Sequence, residues 1–401
     1  MNNTQKELKL VDRVSAQNYK PLPVVLSHGE GIWVTDVDGN RYIDMLSGYS
    51  SLNQGHRHPK IIKALKDQAD RLTLSSRAFH NDKMGVFLEK LCSLTGYEKA
   101  LPMNSGVEAV ETAIKAARKW AKEERGIEEG EIIVFENNFH GRSITAVSFS
   151  SEQSYRSGFG PFTPGFVIVP YGDIDAVKKA ISKKTIAILF EPIQGEGGIK
   201  IPVDGFFKGL REICDKNKIL MIADEIQTGL GRTGKMLAIQ HENVRPDIVC
   251  LGKAISGGVY PVSAIVCDDF IMKVFTPGVH GSTYGGNPLG AAVAIAALDV
   301  IVEENLCEKS LELGKYFVDK LRAIKCSAIK EIRGRGLFIG IEFKPEIGKV
   351  FPICEELMKK GLICKDTKNI IIRMAPPLVI TREEIDHALE QIKEVFENIK
   401  I

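Results

Sequence analysis

Along the first fifty residues, short apolar runs alternate with turn residues. In "GIWVTDVDGNRYIDML" the Asp-Gly pair of "DVDGN" predicts a hairpin. From about residue 51 to residue 290 the pattern changes, and helical segments separate short, continuous apolar runs. The strands this predicts are "EIIVF" (131–135), "FVIVP" (166–170), "IAILFEP" (186–192), "ILMIADE" (219–225), "DIVCLG" (247–252) and "PVSAIVC" (261–267). Apolar runs of this kind, spaced by helices, belong to a mostly parallel sheet covered by helices on both faces. From Asn287 onward a long helix, "NPLGAAVAIAALDVIVEENL", leads into "GRGLFIGIEF" and a helix near 350–360. The run "IIIRMAPPLVI" and a last amphipathic helix follow. The expected architecture is α/β, with a large domain over 51–290 and a smaller α+β domain over 291–401. Segment 1–50 is expected to pack with the small domain.

In open α/β sheets, ligands sit outside the carboxyl ends of the strands. Three of the predicted strands each deliver an ionisable group there: "ILFEP" ends at Glu191, "LMIAD" at Asp224 and "IVCLG" at Lys253. Alone, a strand-end lysine reads as a cation reaching solvent. Lys253, however, follows an apolar run and precedes the small residues "AISGG", so ordinary surface cover is missing. A desolvated lysine loses its proton more readily and becomes a nucleophile able to condense with an aldehyde. Gly257 and Gly258 are expected to clear the space it needs.

An aldehyde cofactor such as pyridoxal phosphate also needs an acid for its pyridine nitrogen and a cradle for its phosphate. Asp224 supplies the acid; a lone aspartate there would read as a helix cap, but the lysine alongside changes the balance. "MNSGVEAVETAIKAARKW" (103–120) supplies the cradle, with Ser105, Gly106 and Val107 opening a helix. Free N–H groups and the dipole make a helix N-terminus an anion site. "HGSTYGGNP", with Ser282 and Thr283, is a second candidate.

Composition narrows the field. Lys+Arg number 53 against 51 Asp+Glu, so no global field draws nucleic acid or anionic membrane. The eight cysteines are scattered without a C-x-x-C pair, which predicts free thiols in a reducing compartment rather than a disulfide or metal framework. His56 and His58 in "GHRHP" fit a turn better than a zinc pair. "MNNTQKELKL" has the marks of neither a secretory signal nor a transit peptide. The longest apolar stretch falls short of the roughly 20 residues a membrane span requires. A soluble, cytoplasmic protein is expected.

Together, "NSGVEA", "FHGRS", "EPIQGEGG", "ADEIQTGLGRTG", "LGKAISGG", "HGSTYGGNPL" and "IIRMAPPL" resemble the class III (ω-amino) aminotransferases, in order over nearly the whole chain. The resemblance implies pyridoxal 5'-phosphate as cofactor and the fold type I of PLP-dependent transferases. It implies Lys253 as the lysine that carries the cofactor, with Asp224 on its pyridine nitrogen and Gln227 on its ring hydroxyl. Phe139 and Ile226 would flank the ring, and Ser105, Gly106 and Val107 would hold the phosphate. Ser282 and Thr283 would reach the neighbouring subunit's phosphate, which implies a homodimer with shared active sites.

"NYKPLP", "SGYSSLNQGHRHPKI", "SSRAF", "GFGPFTPG" and "RPDIV" resemble the ornithine-type branch. That implies transfer of the δ-amino group of ornithine to 2-oxoglutarate, giving glutamate 5-semialdehyde and glutamate. Tyr19 and Arg142 would hold the α-amino and carboxylate end of ornithine. Glu196 would neutralise Arg373 until the keto acid arrives, and Tyr49 would shape that exchange. "NSG" and "EGG" are also similar to acetylornithine aminotransferases, and 4-aminobutyrate aminotransferase is a further alternative. The two tyrosines favour a free α-amine.

Overall fold

The computed structural model describes residues 2–399. Its centre is a seven-stranded sheet in the order 99–103, 263–267, 248–251, 220–224, 185–190, 131–135, 166–169. The five strands from 248–251 to 166–169 run parallel; Ser263–Cys267 runs antiparallel to both its neighbours. The sheet is thus mostly parallel and helix-covered, as the apolar runs predict.

Strand residues alternate between two cores because successive side chains point to opposite faces. Ile132, Val134, Ile222, Ile248 and Ile265 join one apolar cluster with Ala109, Ala113 and Ala117 of helix Gly106–Arg125. Ile133, Phe135, Met221, Val249 and Val266 join the other, with Val293, Ala297 and Ile301 of helix Pro288–Glu303.

Two smaller four-stranded sheets flank this body. One pairs the predicted hairpin, Trp33–Asp36 with Arg41–Asp44, adds Leu26–Glu30 on one side, and on the other receives Leu362–Ile363 from far along the chain. At the hairpin turn, Asp36 accepts the amides of Asp38 (3.0 Å) and Asn40 (2.8 Å). The last sheet has the order 329–335, 338–343, 371–374, 365–367.

Two elements depart from the hydrophobic pattern. Asn3–Val14 is a helix rather than part of the alternating strand-and-turn run; Asn2 caps it by accepting the amide of Gln5, and none of its residues is buried. Leu10, Val11 and Val14 share one of its faces, a helical stripe left exposed rather than packed on the core. Lys99–Met103 is an edge strand whose Pro102 opposes Ala264. A proline interrupts the strand signal yet is tolerated at an edge, where its missing N–H costs no ladder bond.

Arg232 joins the three sheets. Fully buried, it donates through Nη1 to the carbonyls of Leu337 (2.9 Å) and Pro376 (2.6 Å). Through Nη2 it donates to Ser47 Oγ (3.0 Å) and Asn53 Oδ1 (2.5 Å). Arg232→Ala leaves those acceptors unpaired around a cavity and is expected to cost about 3–5 kcal/mol. Urea unfolding measures it; an unchanged midpoint would mean that the junction does not depend on the guanidinium.

Candidate active site

Glu191, Asp224 and Lys253 follow three adjacent parallel strands, at their carboxyl ends. They line one cavity of about 190 Å³ together with Gly106, Val107, Phe139, Ile226 and Gln227. Eight of the residues singled out from sequence therefore meet in one place: Gly106, Val107, Phe139, Glu191, Asp224, Ile226, Gln227 and Lys253. Lys253 also borders an adjoining cavity of about 320 Å³, which Ser105 helps to line.

The lysine sits at φ 45° in a single helical turn that leaves the strand through Gly252. A Cβ on Gly252 would lie 3.2 Å from Ile226 and 3.7 Å from the Gly106 Cα, so this glycine lets the strand end approach the helix N-terminus. Gly257 and Gly258 do something other than open space for the lysine: added Cβ atoms would strike Ile61 and Leu52, each at 2.5 Å. They serve a left-handed turn and the packing behind it. Burial depresses the Lys253 amine, although Asp224 and Glu196 pull the other way. The result is a lysine primed to lose its proton.

Asp224 is held at both oxygens. His140 Nδ1 lies 2.6 Å from Oδ2, and the Ile226 amide donates to Oδ1 at 3.0 Å. His140 has no exposed side-chain surface. Burial alone would depress its imidazole, but the hydrogen bond and charge of Asp224 outweigh that and raise it. The imidazole and the Ile226 amide together fix the direction in which the carboxylate points. Glu191 accepts the Phe139 amide at 2.9 Å, and burial pushes its carboxyl up to about 8. His140 and the contact of Glu191 went unassigned in the sequence: His140 lies 84 residues from Asp224, with no spacing to announce the pair.

The helix from Gly106 to Arg125 opens with a capping box, in which Glu108 accepts the Ser105 amide at 2.6 Å and its hydroxyl at 2.9 Å. Here, then, the Ser105 groups are engaged by Glu108. A Cβ at Gly106 would come within 3.1 Å of Ile226, so the glycine lets the first turn pack closely on that side chain. Ser282 accepts from Asn104 Nδ2 at 2.8 Å, beside the same cap, while Thr283 is exposed.

On the far side, Arg373 is buried and donates through Nη1 to Glu196 Oε1 at 2.6 Å. Its Nε and Nη2 have no partner among the described residues, a guanidinium with donors left for an anion. Burial would raise the Glu196 carboxyl, but Arg373 outweighs it, helped by Lys253 and Arg142, and holds it low. The Arg373 guanidinium also lies 4.9 Å from the Tyr49 ring centre. Arg142 stacks at 3.6 Å on the ring of Tyr155, a residue with no distinguishing sequence context. Tyr49, at φ 58°, is non-helical within its short turn. Tyr19, 71% exposed, lies with Tyr49 along a largely apolar groove of about 470 Å³ outside the lysine's cavity. His56 and His58 each pair with an acid, Asp44 and Glu304 respectively, at 2.8 Å.

A depressed lysine, a clamped aspartate and a glycine-opened helix N-terminus around one cavity define a site for an amine-condensing, phosphate-bearing aldehyde. These residues fit pyridoxal phosphate. The family description "Aminotransferase class-III" matches residues 14–396. The chain is 59% identical over 401 residues to an ornithine aminotransferase of a Geobacillus species, covering 100% of both. It superposes with TM-score 0.97 on an ornithine aminotransferase of Toxoplasma gondii that has partial occupancy of PLP at its active site; identity is 44%, over 98% of this chain and 94% of that one. An acetylornithine aminotransferase from Elizabethkingia anophelis gives TM-score 0.90 at 45% identity over 100% of both chains. The chain belongs to the class III aminotransferases.

Proposed function

We propose that this chain is a pyridoxal-phosphate-dependent ornithine δ-aminotransferase that passes the amino group to 2-oxoglutarate. The observation that carries the reading is the buried Arg373, covered by Glu196 at 2.6 Å within the field of Lys253 and Arg142. A diamine with one carboxylate and a dicarboxylic keto acid must share this site. A cationic pocket that an acid can cover suits both. Arg142 binds the ornithine carboxylate and Tyr19 its α-amine, which presents the δ-amine to the lysine. Once Glu196 turns away, Arg373 receives the α-carboxylate of the keto acid, and Tyr49 lines its approach.

Lys253 would hold the cofactor covalently, with the Gly106 and Val107 amides on its phosphate and the Ser105 hydroxyl joining them once it leaves Glu108. Phe139 and Ile226 would line its ring, Gln227 would bond its hydroxyl, and Asp224, oriented by His140, would pair with its ring nitrogen. When bound, pyridoxal phosphate supplies the electron sink for the pair left behind as a substrate carbon loses its proton. Lys253, with its amine free, would be the base that takes this proton and the acid that returns it.

We read the assembly as a cytoplasmic homodimer in which Ser282 and Thr283 complete the neighbour's phosphate site. Exposed Phe79, Val279 and Tyr284 and the eight free thiols support this. Among the described residues no helix is long and apolar enough to cross a membrane. We divide the chain at about residues 50 and 290, which puts the seven-stranded sheet in one unit and the 329–374 sheet in the other. The pairing of Leu362 with Ile43 ties the N-terminal segment to the latter.

Acetylornithine transamination is the second reading, favoured by the similarity to the Elizabethkingia enzyme. Steady-state kinetics with ornithine, N-acetylornithine and 4-aminobutyrate, each with 2-oxoglutarate, decides between them. Ornithine is expected to give the highest kcat/KM. A higher value with N-acetylornithine would transfer the assignment.

A further inference from the structure

Glu196 lies in a small hairpin, residues 194–200, closed by paired hydrogen bonds between Gln194 and Lys200, each 3.1 Å. The hairpin follows a strand of the large sheet, yet its backbone is held by the sheet that carries Arg373. Thr367 Oγ1 donates to the Glu196 carbonyl at 2.9 Å. Arg333 donates through Nε to the carbonyls of Gly198 (3.1 Å) and Ile199 (3.0 Å), and through Nη2 to Gly198 again at 2.6 Å. Glu331 and Glu342 hold the Arg333 fork from behind, each at 2.7 Å.

The register of that sheet explains the arrangement. Arg333 is paired with Gly340, and Gly340 with Arg373, so the two arginines stand in one cross-strand row with a glycine between them. Residues in one such row project from the same face. The hairpin crosses that face over Gly340, where an added Cβ would lie 3.0 Å from the Ile199 Cβ. It is gripped at one side by Arg333 and meets Arg373 at the other through its own Glu196.

We propose that Arg333 and Thr367 are specificity-setting positioning residues. They fix the hairpin backbone on the sheet that bears Arg373, so that Glu196 covers and uncovers Arg373 by side-chain rotation alone. This rests on the reading of Glu196 as the mask. A hairpin free to lift would leave Arg373 open during the ornithine half-reaction, and glutamate would compete as amino donor. The clamp therefore sets how well δ-amines are told from α-amines, although neither clamp residue is placed against the substrate.

The test uses PLP-loaded wild type, Thr367→Val, Thr367→Ser, Arg333→Lys, Glu196→Ala and the Thr367→Val/Glu196→Ala double variant. Two quantities are read: the ratio of single-turnover rates with glutamate and with ornithine, and calorimetric affinity for glutarate, an unreactive dicarboxylate. Loss of one hydrogen bond in Thr367→Val is expected to raise the ratio about threefold and tighten glutarate similarly. Arg333→Lys should act in the same direction, and Thr367→Ser should return to wild type. In the Glu196→Ala background, Thr367→Val should change neither quantity. Equal loss of both rates with an unchanged ratio would reduce the clamp to a structural support and overturn the proposal. So would a full effect of Thr367→Val without Glu196. An unchanged ratio in Glu196→Ala itself would overturn the mask, and the clamp with it, and is distinguishable because it needs no clamp variant.

Discussion

Lys253→Ala protein is expected to bind pyridoxal phosphate but to turn over ornithine roughly 10²–10⁴-fold more slowly, the range that a positioned acid–base group contributes. Binding survives because Asp224, held by His140 at 2.6 Å, and the helix that opens at Gly106 do not depend on the amine. Borohydride should fix the cofactor to wild-type protein at Lys253 and leave the variant unlabelled. Turnover at the wild-type rate would remove the lysine from the mechanism. The depressed amine gives an independent reading on cofactor-free protein. Its folded proton affinity lies below that of a free lysine, near 10.4, so in that window the unfolded chain binds more protons. Wild-type stability should therefore gain a contribution as pH rises toward that value, and Lys253→Met should lack it. Unfolding curves of the two apo-proteins between pH 8 and 10, subtracted from each other, isolate it.

Glu196→Ala is expected to shift the choice between amines. Without the carboxylate 2.6 Å from Arg373 Nη1, the guanidinium is permanently free for an α-carboxylate. Ornithine then binds reversed in part of the population, and glutamate becomes the better donor. One hydrogen-bonded charge pair in this setting is worth roughly 1–3 kcal/mol, a change in the rate ratio on the order of tenfold or more. Single-turnover rates of cofactor conversion with each amino acid measure it. A rise in the glutamate-to-ornithine ratio is the signature of the mask. If both rates fall by one factor, Glu196 only supports the site.

Much of the site was legible because strand ends are legible. A continuous apolar run announces a buried strand, and the first ionisable residue after it must stand at the sheet's carboxyl edge. Glu191, Asp224 and Lys253 could be placed in that way without knowing which strands were neighbours. The helix cap at Ser105 was equally local, since a small polar residue, a glycine and Glu108 at the third helical position form a recognisable start. Motif order then tied these fragments to one family. The glycines after the lysine misled, because the atoms a Cβ would meet, Ile61 and Leu52, come from distant segments.

What sequence by itself determined was therefore the order and type of the main elements and the chemistry at their ends. Those depend on periodicity and on residues a few positions apart, where the chain's own geometry dictates who is near whom. The tertiary structure alone decided the contacts that tune this chemistry: His140 on Asp224, Tyr155 under Arg142, Arg232 among three sheets, and Arg333 and Thr367 on the Glu196 hairpin. Each joins residues from separate elements, and each depends on a register or strand order that many sequences share. Such partners carry no local pattern, because a histidine or arginine far along the chain acquires its role only when packing removes water and leaves one neighbour to satisfy it.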